Sequence, residues 1–158
     1  KASRSTLGSG QFCAQMISNL AWAYSTRSVR HVQLLHAISA AAIPRWSQCQ
    51  PQDIANTSWA FACLAEQDAP LLAAISSAAL RKLDCFTSQN LAMTAWSLAT
   101  LNFGDRPLLD AISSASIRRM SDFGPQHISI IAWAFAMLAR LDRPLLAAIA
   151  ASSIRIMM

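Results

Sequence analysis

The sequence predicts an all-α protein, an αα-hairpin solenoid (superhelical repeat) of four 37-residue repeats. Three observations predict it. Trp22, Trp59, Trp96 and Trp133 stand 37 residues apart, and Gln15, Gln52, Gln89 and Gln126 keep the same interval, as do Leu35, Leu72, Leu109 and Leu146. Each interval holds two apolar segments of helical spacing joined by a short polar stretch. A fixed period in the range of roughly 20–50 residues marks units that bury their apolar faces only against their neighbours. The repeats run 12–48, 49–85, 86–122 and 123–158, the fourth incomplete or open-ended, after a flexible lead-in over 1–11 that is basic, rich in Ser and Gly and without apolar period. The missing initiator Met fits a processed precursor or a fragment.

In each unit a first helix, A, begins near the recurrent Gln and a second, B, near the paired leucines. The predicted spans are 14–27 and 32–46, 51–65 and 69–84, 88–102 and 106–121, and 125–139 and 143–157. Pro70, Pro107 and Pro144 fall at the start of B, where a missing N–H costs nothing, and Asp68, Asp105 and Asp142 stand two residues earlier, where an acid caps the helix. The first unit has His31 and Gln33 in these places, and Pro44 is expected to kink or shorten its B helix.

Composition narrows the function classes. The chain is 54% hydrophobic and 13% charged, against a charged share of about 25% in soluble domains, so part of its surface is expected to be covered. Thirteen Lys and Arg against eight acids give +5, a balance that favours acidic partners such as RNA. The longest nearly uninterrupted apolar run, Ile128 to Ala139 with Ser129 inside it, is 12 residues, whereas a membrane span needs roughly 20, so the chain is not expected to span a membrane. Cys13, Cys49, Cys63 and Cys85 lack CxxC spacing and His31, His36 and His127 are not grouped with them, so no metal site is expected. Cys49 stands where Phe12, Phe86 and Phe123 stand in other units and reads as a small core substitute.

No phosphate-cradling glycine pattern, HExxH, GxSxG or paired-carboxylate arrangement is present, so the chain is read as non-enzymatic with no cofactor. Ser76-Ser77, Ser113-Ser114 and Ser152-Ser153 recur without a travelling base and read as packing residues.

A helical wheel leaves one stripe of helix A for the surface: Met16, Asn19, Leu20, Ala23; Asp53, Asn56, Thr57, Ala60; Asn90, Met93, Thr94, Ser97; His127, Ile130, Ile131, Ala134. It changes from unit to unit while the scaffold positions hardly do, which fits contact with a non-repeating partner; drift of an unconstrained face would look the same. A basic ladder of Arg45, Arg81, Lys82, Arg118, Arg119 and Arg155 recurs near the end of B, where the helix dipole also favours cations. Phosphates held by this ladder would leave bases to meet Asn19, Asp53, Asn56, Asn90 and His127. The repeated tryptophans read as internal filler beside small residues, and Trp46, outside their register, as the indole for an exposed contact.

The segments Pro51-Gln-Asp-Ile-Ala-Asn-Thr-Ser-Trp-Ala-Phe-Ala-Cys-Leu and Ser88-Gln-Asn-Leu-Ala-Met-Thr-Ala-Trp-Ser-Leu-Ala-Thr-Leu, each followed by Pro-Leu-Leu, resemble the octotricopeptide repeat family and its heptatricopeptide and FAST-kinase-like relatives, over about residues 12–158. The resemblance implies a nuclear-encoded chloroplast or mitochondrial αα solenoid that binds single-stranded RNA and controls transcript stability, processing or translation. The period agrees with the heptatricopeptide form, and the Asn of the Leu-Ala-Asn motif, kept in Asn19 and Asn56, becomes Met93 and Ile130. The alternative expectation, of another class, is a structural subunit of a large organellar complex such as a ribosome, photosystem or respiratory complex, acting through protein contacts.

Overall fold

The computed structural model describes residues 13–158; the lead-in and Phe12 lie outside the described residues. Eight α-helices account for the regular structure, with no strand among the described residues: α1 Ala14–Thr26, α2 Val32–Ala42, α3 Pro51–Cys63, α4 Ala69–Lys82, α5 Ser88–Thr100, α6 Arg106–Arg118, α7 Pro125–Met137 and α8 Arg143–Met157. Short 3-10 turns at Ile43–Arg45, Leu83–Cys85 and Met120–Asp122 follow α2, α4 and α6. No helix is long and apolar enough to cross a membrane.

Local chemistry explains where the helices start. Asp68, Asp105 and Asp142 accept from the backbone N–H of Leu71, Leu108 and Leu145 at 2.9, 3.0 and 3.0 Å, and each is followed by a proline in the first turn. His31 takes the same role for α2, its Nδ1 accepting from Leu34 N–H at 3.2 Å. Reciprocal bonds between Thr87 and Asn90, and the Gln50 N–H donating to Asp53 Oδ2 at 2.9 Å, open α5 and α3. Pro44 shortens α2, which stops at Ala42 and continues as a 3-10 turn.

The odd-numbered helices stop one to two residues before the sequence predicts. Each ends in a Schellman turn with a non-glycine residue at positive φ: Ser28, Ala65, Asn102 and Ala139, at 53°, 51°, 51° and 50°. The N–H of the next residue reaches back to the carbonyl of Tyr24, Phe61, Leu98 or Phe135, at 2.8–3.0 Å. These four turns stand 37 residues apart.

Packing is asymmetric. α1 lies closely against α3, α3 against α5, and α5 against α7; each even helix packs less extensively, on the odd helix before it and on its even neighbours. Small residues allow the close approach: Ala21, Ser58 and Ala95 on one flank and Ala60, Ser97 and Ala134 on the other are all buried. One continuous apolar core runs from Ile17 to Leu145. Lys82 donates to the Ser47 and Cys49 carbonyls, and Arg119, 37 residues later, to those of Leu83 and Phe86, tying each turn to the previous one.

Candidate functional site

An odd helix in the middle of the row is covered on three sides, by two odd neighbours and its even partner. The side left open holds the recurrent Gln and the residues four, seven and eleven positions on, which share one helix face. In α3 these are Gln52, Asn56, Trp59 and Cys63; in α5, Gln89, Met93, Trp96 and Thr100; in α7, Gln126, Ile130, Trp133 and Met137; none is buried. Gln15, Asn19, Trp22 and Thr26 continue the row on α1, all exposed. No residue of this outward face carries a charge.

The repeated tryptophans are therefore not internal filler. Trp22 and Trp133 are 47% and 43% exposed, and Trp59 and Trp96 are half-buried. Flanks of Ala and Ser leave no room for an indole between odd helices, so each ring lies over the row. Trp96 leans on Ala62, Leu72 and Leu101, and Trp133 stacks on Trp96 with centroids 6.4 Å apart and planes inclined by 28°. Trp96, Ser129, Ile130 and Trp133 line an open depression of about 370 Å3.

Trp46 is likewise the reverse of the expectation, only 3% exposed. It has the register of Leu83 and Met120, both core residues at the start of a 3-10 turn. Its Nε1–H has no partner among the described residues, at a cost of about 1–3 kcal/mol. Burying an indole of roughly 150–250 Å2 at about 25 cal/mol per Å2 contributes roughly 4–6 kcal/mol, which wins. Cys49, 2% exposed, sits in the core where Phe86 and Phe123 are buried, and burial pushes its thiol up to about 11, with Asp53 adding to the rise and Lys82 opposing it.

Most of the stripe expected to face outward lies instead between odd helices. Asp53 is buried and accepts from Ser18 Oγ of α1 at 3.1 Å. Asn90 is buried and donates to Gln52 Oε1 of α3 at 3.0 Å. His127, half-buried, meets Ser88 Oγ of α5 at 3.3 Å and sets its ring edge-on to Phe123. Thr57, Ala60, Thr94, Ser97, Ile131 and Ala134 are buried too. Of the base-reading candidates only Asn19 and Asn56 stay on the outward face, Asn56 accepting from Gln52 Nε2 at 2.8 Å.

The basic ladder divides. Lys82 and Arg119 are engaged with backbone carbonyls, and Arg45 donates to the Ala41 carbonyl at 2.6 Å. Arg81, Arg118 and Arg155 are exposed, Arg118 lying 3.7 Å from Asp84. They do not border the outward odd-helix face. Arg81 lines a groove with Ser77 and Leu80 of α4 and Asp105 and Pro107 at the start of α6, and Arg155 one with Met120, Ala148 and Ser152.

The residues missed by sequence reasoning are the outward glutamines and tryptophans. Their signal was available in the small residues on both flanks, which show that a helix has two close neighbours rather than one.

The described residues form an all-helical protein with a row of indoles along one face. No family model and no curated protein matches this chain.

Proposed function

We propose that the chain is an αα-hairpin solenoid of four units that binds single-stranded RNA in an organelle, its bases stacking on the outward tryptophans. The observation that carries this reading is the indole row: one partly exposed Trp at the same turn of α1, α3, α5 and α7, two of them already stacked. Base–aromatic stacking is sequence-tolerant, at about 1–3 kcal/mol per base. Gln52, Gln89, Asn19 and Asn56 beside the rings offer donors and acceptors to base edges, and Arg81, Arg118 and Arg155 supply the long-range attraction of a chain with net charge +5.

Anisotropy titration of labelled RNA tests it. Single strands are expected to bind more tightly than duplex, and Trp96→Ala with Trp133→Ala to weaken binding at least tenfold. Equal affinity in that double variant rejects the stacking role. Changing Arg81, Arg118 and Arg155 to Glu is expected to flatten the salt dependence.

The absence of charge on the outward face favours a second reading, a structural subunit of a larger assembly. Interface cores are enriched in Trp and Met and depleted in Lys, Glu and Asp, and Trp133 and Met137 are large, exposed and adjacent in helical register. Under that reading RNA affinity is absent and the same tryptophans are protected only by a protein.

A further inference from the structure

The turn after an even helix and the end of the next even helix face each other, and the repeat fills these two places differently from unit to unit. Asp84, in the turn after α4, lies 3.7 Å from Arg118 of α6. One period later the same places hold Ser121, in the 3-10 turn Met120–Asp122, and Arg155 of α8, which line one depression with Met120 and Ser152. The acid has become a hydroxyl while the arginine has stayed. Arg155 Nη2 donates to Ser152 Oγ at 3.3 Å, and no carboxylate pairs with it among the described residues. Ser121 is exposed, and so are Ser47 and Asp84 at the equivalent places further inside the row, so its access belongs to the turn and not to its distance from the end of the chain. The residues ahead of it are Arg118-Arg119-Met120. Among the serines and threonines of the described residues, Ser121 alone follows arginine at both the second and the third place before it; Ser47 follows only Arg45.

We propose that Ser121 is a phosphorylation site for a protein kinase that reads arginine just ahead of its acceptor serine, and that Arg155 receives the phosphate. Ser121 Oγ attacks the γ-phosphorus of a nucleoside triphosphate held by the kinase. The Oγ–P bond forms as the bond from that phosphorus to the diphosphate oxygen breaks, the nucleoside diphosphate leaves, and the hydroxyl proton passes to the kinase's catalytic carboxylate. In the unmodified chain that hydroxyl donates to Asp122 Oδ1 at 3.2 Å. Phosphorylation removes this bond, and repulsion from Asp122 turns the new charge, roughly −1.5 to −2, toward the guanidinium of α8. Phosphoserine oxygens stand one bond further from Cβ than those of Asp, so the phosphate spans the gap that Asp84 spans to Arg118, and Arg binds it through a fork of N–H donors. Of the two arginines ahead of the serine, Arg118 is exposed. Arg119 is bonded to the Leu83 and Phe86 carbonyls, so a kinase that reads it must first open the turn; a three-residue 3-10 segment opens more readily than a helix. The site stands without any RNA. Where RNA binds, the modification withdraws Arg155 from the exposed cations.

Incubating the folded full chain with an arginine-directed serine/threonine kinase, magnesium and ATP, followed by intact mass and peptide mapping, tests the acceptor. One phosphoryl group is expected on Ser121 and none on the Ser121→Ala chain, and Arg118→Ala is expected to slow transfer roughly tenfold or more. Circular dichroism checks that each variant keeps its helix content. Phosphorus NMR of the modified chain tests the receiver. An arginine beside the phosphate favours its dianion, so the midpoint of the second ionisation is expected to be lower in the folded chain than in urea, and to move back up in Arg155→Gln. Asp122 raises that midpoint and Arg118 lowers it, but both remain in the variant, so the difference between the two folded chains belongs to Arg155. No transfer to the folded chain, transfer to another serine with Ser121 unmodified, or the same midpoint with and without Arg155 overturns the proposal.

Discussion

Asn90 on α5 donates its Nδ2–H to Gln52 Oε1 on α3 at 3.0 Å, while its own Oδ1 accepts from the Thr87 N–H that opens α5. One buried amide thus caps its helix and ties it to the neighbour. Equivalent places are filled by Asp53, which bonds Ser18, and His127, which meets Ser88. The residue after the recurrent Gln varies because each helix contact is solved with a different pair of polar groups. Asn90→Ala is expected to lower the unfolding free energy by about 1–3 kcal/mol in urea denaturation, and Gln52→Ala, which leaves the buried Asn90 Nδ2–H without its acceptor, by a similar amount. A double-mutant cycle showing no coupling would remove the bond from the account.

Ala65 and Ala139 hold left-handed backbone at φ 51° and 50° on exposed turns. A β-carbon there is disfavoured by roughly 1–2 kcal/mol, offset in part by the extra backbone entropy of glycine. Ala65→Gly and Ala139→Gly should each raise stability by about 0.5–1 kcal/mol, read as a shift in the denaturation midpoint without a change in slope. Destabilisation by both would contradict the turn geometry.

Trp46 and Cys49 form a large–small pair in the core, where later units place Leu83 with Phe86 and Met120 with Phe123. The volumes compensate. Cys49→Phe alone should overpack and cost about 1–3 kcal/mol, and Trp46→Leu added to it should recover most of the loss. Independent, additive effects would show that the two residues do not share a space.

The cysteines should report the same burial chemically. Cys13 and Cys85 are exposed, Cys63 is exposed with its thiol pushed up by partial burial, and Cys49 is buried. Iodoacetamide at mildly alkaline pH is expected to label Cys13 and Cys85 first, Cys63 more slowly and Cys49 only on unfolding. The folded state holds Cys49 protonated up to about 11, whereas an unfolded thiol ionises near about 8.5. Over that interval the unfolded state has lost a proton that the folded state keeps, so stability falls as pH rises. Cys49→Ala should flatten the fall.

Much of the fold was legible because its starts are written in side chains. Asp-x-Pro and the residue before each recurrent Gln place seven of the eight helix starts where they are found, from Ala14 to Arg143, and α2 starts at Val32 after His31, which stands in the Asp register. Helix ends were not legible, since the turns at Ser28, Ala65, Asn102 and Ala139 carry no glycine to announce them. The candidate site was misplaced by a rotation of the wheel. Placing the tryptophans beside small residues between units made Trp59 and Trp96 filler and sent Asp53 and Asn90 outward. Two odd neighbours per helix reverse these assignments. Trp46 stands outside the register of the other tryptophans and follows Arg45 at a helix end, which points outward, but its register with Leu83 and Met120 is that of the core.

The most direct test is the tryptophan emission of a Trp46→Phe variant, whose only indoles are the four of the outward row, during titration with single-stranded RNA. The account predicts red-shifted, acrylamide-quenchable emission in the free protein, and quenching that saturates with RNA and is reversed by salt. Emission that starts blue and protected, or RNA that binds without altering it, would contradict the claim that these four rings face outward and receive the ligand.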